Sequence, residues 1–450
     1  MDAALEDRAL PKALRVEALL ERHLRLVMTV LVAGMVAVRV AWCLVRHDAG
    51  SAGEAFNVAS AFAEGRGLAD AYRAGQGLTA HLLPISPGIG GTVYALFGPR
   101  SPAAEAILAT WSIGLALGTY LLLFRAFGRL GTPLVARVAA FAFAAVAPTY
   151  ISQEAVDFRL WEGGLTAFLT AAFLDRLLAM ESRRTLPSWG VIVLMAAWAA
   201  VLFFTNPPAG LAIYVCAAFF CLRRLPPARL VGTAAIAALA LALLIGPWAW
   251  RNERAVGAPV LLRSNAGLEL AIGMDPAALH ADDRRAVMHR RLETIHPMQS
   301  QAAYAELRKV GEVAYARRLG YQARAWMREH PGQAAALALL HLRQLFAPEP
   351  WQFSLFGTGM ATHLRALLAS AVGLFGVVGV AAAILGRRRG WIYPATVIAV
   401  LAILLMPFQP VIRYTYLIYP ILIYATADLV VGVTRWSMRP NRASRPSSGG

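Results

Sequence analysis

Charge is scarce in this chain and lysine scarcer still: 15% of its 450 residues are Asp, Glu, Lys or Arg, and only Lys12 and Lys309 are lysines. With 58% hydrophobic residues and a mean hydropathy of +0.54, that deficit excludes an ordinary soluble domain and points to a polytopic membrane protein. Cysteine is rare as well. Cys43, Cys216 and Cys221 all fall in apolar runs, which excludes a disulfide framework for exported loops and any Cys-x-x-Cys metal pattern. Also missing are a Gly-x-x-x-x-Gly-Lys phosphate loop, a Gly-x-Gly-x-x-Gly fingerprint between strand and helix, His-Glu-x-x-His and Gly-x-Ser-x-Gly. A transferred group would therefore arrive without a soluble nucleotide-binding fold to hold its donor, and a lipid phosphate anchored in the bilayer fits that gap.

What the chain has in quantity is apolar sequence of membrane length. Runs at 26–45, 104–124, 138–151, 160–178, 189–204, 209–222, 230–250, 364–385, 391–406 and 414–433 predict about ten transmembrane helices. The net charge of +17 raises the question of nucleic acid, but the arginines sit between spans rather than on one soluble face. Arg22/Arg25, Arg125/Arg129, Arg183/Arg184, Arg223/Arg224/Arg229, Arg387/Arg388/Arg389 and Arg435/Arg439 all fall on one side when the spans are threaded alternately. That side is the cytoplasmic one, so both termini are expected inside and no nucleic-acid partner is expected. No small-residue cleavage site follows the first run, which is read as a retained span.

Residues 1–25 read as a short amphipathic cytoplasmic lead, 26–250 as an N-terminal transmembrane module whose first outer loop is 47–103, and 251–362 as a helical outer cap. Residues 363–434 supply the C-terminal transmembrane helices, and 435–450 form a Pro/Ser/Gly-rich tail with the composition of a disordered cytoplasmic segment. In the first outer loop, 56–62 is too polar to span and 85–97 is rich in glycine; both are expected as in-plane helices. The helical period returns in the cap over 304–330 and 332–346. No internal repeat supports the inverted-repeat architecture of secondary transporters.

Several short motifs belong together. Glu54 with Ala59 and Gly65-Arg66-Gly67 is followed by Gly77-Leu78-Thr79-Ala80, by Pro84 and Pro87, and by Tyr94-Ala95-Leu96-Phe97-Gly98. Further along stand Phe158-Arg159-Leu160-Trp161-Glu162, Thr205-Asn206-Pro207-Pro208, Pro247-Trp248-Ala249-Trp250-Arg251-Asn252 and the segment Arg263-Ser264-Asn265-Ala266-Gly267-Leu268-Glu269-Leu270. Together they resemble the bacterial GT-C glycosyltransferases related to protein mannosyltransferases and aminoarabinose transferase. The resemblance implies an all-α polytopic membrane enzyme of the bacterial inner membrane. It implies transfer of a sugar from a polyprenyl-phosphate donor to a glycan, lipid or protein acceptor on the outer face, with membrane lipid as the other partner. A phosphate leaving group needs no general acid, so one carboxylate acting as base on the acceptor hydroxyl suffices for inverting displacement.

Glu54 matches the acidic position of the family's first outer loop and is the expected base, with Asp157 as its catalytic companion and Asp48 in reserve. Tyr72, His81, Arg159 and Glu162 are expected to line the substrate site. Arg251, Arg263 and Arg413, with Tyr414, are placed at the outer ends of spans where a lipid phosphate would sit; Arg413 is the only charge in the short turn 407–413. Each residue has a plainer alternative. Ser51-Ala52-Gly53-Glu54 reads as a capping box, Arg159 and Glu162 as a pair along a helix end, Tyr414, Tyr416 and Tyr419 as an interfacial belt, Arg251 as a lipid anchor, and His81 as a loop histidine. Gly53 stands where better-studied families often carry a second acid. A divalent metal therefore stays open, as does a noncatalytic lipid-binding relative. The other alternative is a transporter or flippase of an amphiphilic or lipid-linked substrate, using Arg413 and Asp157 as buried charges.

Overall fold

The computed structural model describes residues 12–45, 53–183, 185–354 and 358–437, and it is all-helical among them. Helix α1 (Lys12–Val45) carries the amphipathic lead and the first apolar run without a break. Two short helices of the first outer loop follow, α2 (Glu54–Ala63) and α3 (Ile85–Phe97). They pack closely because α3 presents glycine to α2: a Cβ on Gly91 would lie 2.6 Å from the Phe62 ring. The next helix, α4 (Pro102–Arg129), starts as its sequence dictates, with the Ser101 side chain accepting from the Ala104 N–H and proline in the first turn.

The apolar run expected over 138–151 is broken. It forms α5 (Leu134–Val146) and the short α6 (Ile151–Ala155), with the segment Ile151–Arg159 bent by 71° from α5. Pro148 explains the break, since it has no N–H to give and drives the preceding residue out of the helical region; Ala147 has ψ 129°. A buried arginine on α1 satisfies the carbonyls freed there. Arg39 donates to Ala144 O at 3.0 Å and Ala145 O at 3.1 Å, and its Nε reaches Glu154 at 2.8 Å beyond the bend. The other oxygen of Glu154 accepts from the Tyr120 and Tyr416 hydroxyls at 3.0 and 2.9 Å. Tyr416 and Tyr419 are thus buried, not part of an interfacial belt.

Helices α7 (Gly163–Glu181), α8 (Trp189–Thr205), α9 (Pro207–Arg224) and α10 (Pro227–Val256) complete the first membrane module, α7 lying along α4. The cap contains α11 (Ala266–Gly273), α12 (Arg284–Ile295), α13 (Gln301–Val310), α14 (Glu312–Glu329) and α15 (Pro331–Phe346) around its own apolar core. The single period expected over 304–330 is split at Gly311, whose φ of 85° suits glycine and ends α13. Last come α16 (Met360–Leu385), α17 (Ile392–Leu405), the one-turn α18 (Ile412–Thr415) and α19 (Tyr419–Ser437). Gly376 and Gly379 let α16 meet α19 backbone to backbone, where added Cβ atoms would lie 2.8 Å from Leu422 O and 2.4 Å from Ala425 O.

This is a membrane protein. Among the described residues five helices are long and apolar enough to cross a bilayer, six if the bent α5–α6 pair is one span. The other expected spans fall on α8, α9, α17 and α19, of 17, 18, 14 and 19 residues. Val231, Leu239 and Leu243 on α10 and Leu367, Leu374 and Phe375 on α16 point outward, which suits lipid and not water. At one end of the bundle the arginine-bearing connections are tied together: Arg388 holds Asp428 and donates to Leu130 O at 3.2 Å, Arg129 pairs with Asp175 at 3.0 Å and Arg229 reaches Pro187 O at 3.2 Å. The candidate site lies where the cap meets the first outer loop.

Candidate functional site between the cap and the first outer loop

Glu54 is the first residue of α2, and the residue before it is glycine for a backbone reason. Gly53 has φ 81° and ψ −157°, a region closed to residues with a Cβ. A second acid at that position would strain the turn, which explains why this chain departs from a paired-acid pattern. Ser51 lies outside the described residues, and the N-cap of α2 is Gly53, so Glu54 occupies the first helical position and not the third that a capping box requires. Its carboxylate faces the cap instead: His296 Nε2, at the C-terminal end of α12, lies 3.2 Å from Glu54 Oε1. The Met298 N–H points to His296 Nδ1 at 3.3 Å, which leaves the ring proton on Nε2 facing Glu54. Burial disfavours the charged carboxylate, but the His296 hydrogen bond, the neighbouring His81 and His296 rings and the charge of Arg413 outweigh it and hold Glu54 down at about 2. It is ionised at neutral pH.

Around this pair the chain assembles rings and charges. The Tyr72 hydroxyl is 3.0 Å from His81 Nδ1, and the Tyr72 ring meets His81 and His296 edge-on at 4.8 and 5.5 Å. Burial, reinforced by the nearby cations, pushes His81 down to about 4, so its imidazole is neutral at physiological pH. Arg413 lies over the Trp161 ring at 4.0 Å and near Tyr414 at 5.4 Å. No carboxylate among the described residues is within ion-pair distance of it, yet its charge acts on Glu54, Glu162 and Glu269 together. Arg263 reaches Glu162 at 2.6 Å and keeps a buried Nε without a partner. A small cavity lined by Leu82, Leu83, Ile85, Ser86, Pro87, Leu160 and Thr205 lies against this Arg263–Glu162 pair.

The structure therefore brings Glu54, Tyr72, His81, Glu162, Arg263, Arg413 and Tyr414 into one place. Asp157 stands at its edge, within the field of Arg413 and hydrogen-bonded to Gln153. Arg159 and Arg251 are elsewhere. Arg159 pairs with Glu105 at 2.6 Å and donates to Ala155 O at 2.8 Å, so it does not pair with Glu162. Arg251 props the first outer loop from below, donating to Thr79 O at 2.6 Å and Leu68 O at 2.9 Å. Asp48 lies outside the described residues. Two residues enter that sequence reasoning did not single out, His296 and Glu269, both from the cap. Glu269 sits within the Arg263–Leu270 segment already noted, as a lone charge on an otherwise apolar helix.

The first outer loop is held in register by the cap. Glu312, opening α14, accepts from Thr79 Oγ1 at 2.6 Å, from the Ala80 N–H at 2.7 Å and from Gln76 Nε2 at 3.0 Å. Across the loop, the Ser264 N–H donates to Ala80 O at 3.0 Å, tying the segment that carries Arg263 to the one that carries His81. Among the described residues no three His, Cys, Asp or Glu side chains gather as a metal-binding set.

No protein-family profile and no curated protein matches the sequence. Solved structures do match. The apo oligosaccharyltransferase of Archaeoglobus fulgidus aligns with 92% of this chain and 51% of its own at 14% identity and a TM-score of 0.47. The same organism's AglB, in complex with an inhibitory peptide and a dolichol-phosphate, aligns with 85% of this chain and 46% of its own at 13% identity and a TM-score of 0.41. ArnT from Cupriavidus metallidurans bound to undecaprenyl phosphate aligns with 89% of this chain and 78% of its own at 15% identity and a TM-score of 0.36. The chain spans about half the length of the oligosaccharyltransferase it matches.

Proposed function

We propose that this protein is an integral-membrane glycosyltransferase of the GT-C kind. It would move a sugar from a polyprenyl phosphate to a glycan, lipid or protein acceptor at the outer face of a bacterial inner membrane, with both termini cytoplasmic. The observation that carries the reading is the placement of Glu54: a preorganised carboxylate hydrogen-bonded to His296 in the field of Arg413, with the buried Arg263–Glu162 pair in the same cluster. A lipid phosphate reaching this cluster would meet the charges of Arg413 and Arg263, which would stabilise its departing charge.

In this mechanism Glu54 accepts the proton of the acceptor hydroxyl as the acceptor oxygen attacks the anomeric carbon. The bond from that carbon to the phosphate oxygen breaks on the opposite side, and the phosphate leaves with the electron pair, inverting the configuration. A carboxylate held at about 2 is a weak base at rest. The bound phosphate changes that, because its negative charge offsets the charge of Arg413 and raises the proton affinity of Glu54 when the donor is in place. Asp157 and His81 flank the reacting groups in this scheme, His81 as a neutral hydrogen-bonding ring.

Purified protein in nanodiscs, incubated with labelled polyprenyl-phosphate sugars and with envelope glycan, lipid and protein acceptors, is expected to form a labelled product with one donor. Absence of product with every donor and acceptor class would contradict the proposal.

A further inference from the structure

Every other carboxylate around Arg413 already has a well-placed partner: Glu54 has His296, Glu162 has Arg263 and Asp157 has Gln153. Glu269 has far less. Its Oε1 accepts from Asn265 Nδ2 at 3.2 Å, one turn earlier on α11, and no cationic nitrogen among the described residues lies within ion-pair distance. The side chain is half-buried, and with a single long amide contact it keeps acceptor capacity for a ligand. Burial pushes its carboxyl up in spite of Arg413.

The helix that carries it cannot yield. A Cβ on Gly267 would lie 2.0 Å from Ala316 O on α14, and one on Gly273 would lie 2.7 Å from Pro407 O in the turn before α18. Helix α11 is pinned at both ends, so Glu269 is presented to Glu54, His296 and Arg413 from a rigid support. Tyr72 and Tyr414 share its field. A further anionic group would not pair with Glu269 itself, which already feels the charge of Glu54. The missing partner is a neutral group rich in hydrogen-bond donors, with a face that aromatic rings can cover.

We propose that Glu269 recognises the transferred sugar, its free oxygen accepting hydrogen bonds from hydroxyls of the glycosyl group attached to the carrier phosphate. This rests on the lipid-donor reading above. The phosphate and the sugar are then held by different elements, Arg263 beside the small cavity and Glu269 on the cap.

The test is a binding titration of the purified protein in nanodiscs with undecaprenyl phosphate and with undecaprenyl-phosphate glucose and mannose. The wild type is expected to bind a glycosylated carrier roughly tenfold tighter than the bare one, the worth of one hydrogen bond to a charged acceptor at the low end of its usual range. Glu269→Ala removes that preference and leaves the affinity for the bare carrier unchanged or raised, since a neighbouring negative charge has gone. An equal change for both kinds of carrier, or a wild-type protein that prefers no glycosylated carrier, would overturn the inference. If no carrier binds at all, the lipid-donor reading fails by itself. The role of Glu269 is then decided by comparing hexose 1-phosphates with inorganic phosphate in saturation-transfer NMR: sugar-dependent binding lost in Glu269→Ala supports it, and sugar-independent binding or none overturns it.

Discussion

Replacing Glu312 by Gln changes one atom and puts the register of the first outer loop at risk. The carboxylate uses both oxygens: Oε1 takes the Ala80 N–H at 2.7 Å, and Oε2 takes Thr79 Oγ1 at 2.6 Å and Gln76 Nε2 at 3.0 Å. An amide has one oxygen. Turned one way, its NH2 opposes the Ala80 N–H; turned the other, it opposes the Gln76 NH2 and only the Thr79 hydroxyl can adapt. Hydrogen bonds to a charged, buried acceptor are worth about 1.5–3 kcal/mol each, and the losses here overlap, so the loop should weaken by about 2–3 kcal/mol. That is roughly a 30- to 150-fold rise in local opening. Hydrogen exchange read by mass spectrometry on peptides covering 72–82 is the assay, with Arg308→Ala as control, because Arg308 binds the same loop from an exposed position at Gly75 O and Gln76 O. The Ala80 amide should exchange faster in Glu312→Gln, and peptides of α4 and α7 should not change. Unaltered exchange at Ala80 would refute the argument that Glu312 holds the loop.

Three further outcomes are expected. His81 falls from an ordinary 6.5 to about 4 in the folded protein, so the unfolded chain binds its proton first; stability is fully present above pH 6.5 and is lost as pH falls toward 4, by about 3 kcal/mol. Thermal melts of His81→Gln should lack that part of the slope. Breaking the buried pair at the bend by Glu154→Leu should cost about 3–5 kcal/mol by leaving Arg39 unpaired inside the membrane module, and Arg39→Leu/Glu154→Leu should recover part of it, measured by denaturant-resistant folding in detergent. Gly379→Leu should loosen α16 from α19, since even a Cβ would reach 2.4 Å from Ala425 O; crosslinking of cysteines placed across that contact should fall at least severalfold.

Much of the fold is local in origin, and for that reason it could be read from the chain. Apolar runs and proline at helix starts each act within a few residues, so most helices stand over the runs that predicted them, while the break at Gly311 was not expected. Nor was the 71° bend within one run. Its cause, Pro148, is local, but its support is Arg39, which sits 105 residues earlier than Ala144 in sequence. An arginine in the middle of the first apolar run is a signal in itself, since a charge at that depth implies a partner. The site divides in the same way. Arg413 was legible as a lone charge in a short outer turn, and Glu54 through the motifs around it. His296 reaches Glu54 only through the folding of the cap over α2, and no spacing in the sequence records that approach. Arg159 and Arg251 were misleading for an ordinary reason: a long cation near a span end serves a buried backbone as readily as a ligand.

The central claim, that Glu54 takes the acceptor proton, is tested most directly by single-turnover transfer from saturating polyprenyl-phosphate sugar in wild-type protein and in Glu54→Gln, with donor affinity measured alongside. The account predicts that Glu54→Gln binds the donor within a few-fold of wild type and transfers at least a hundredfold more slowly, the usual reach of a lost general base. Transfer at the wild-type rate in Glu54→Gln would contradict it.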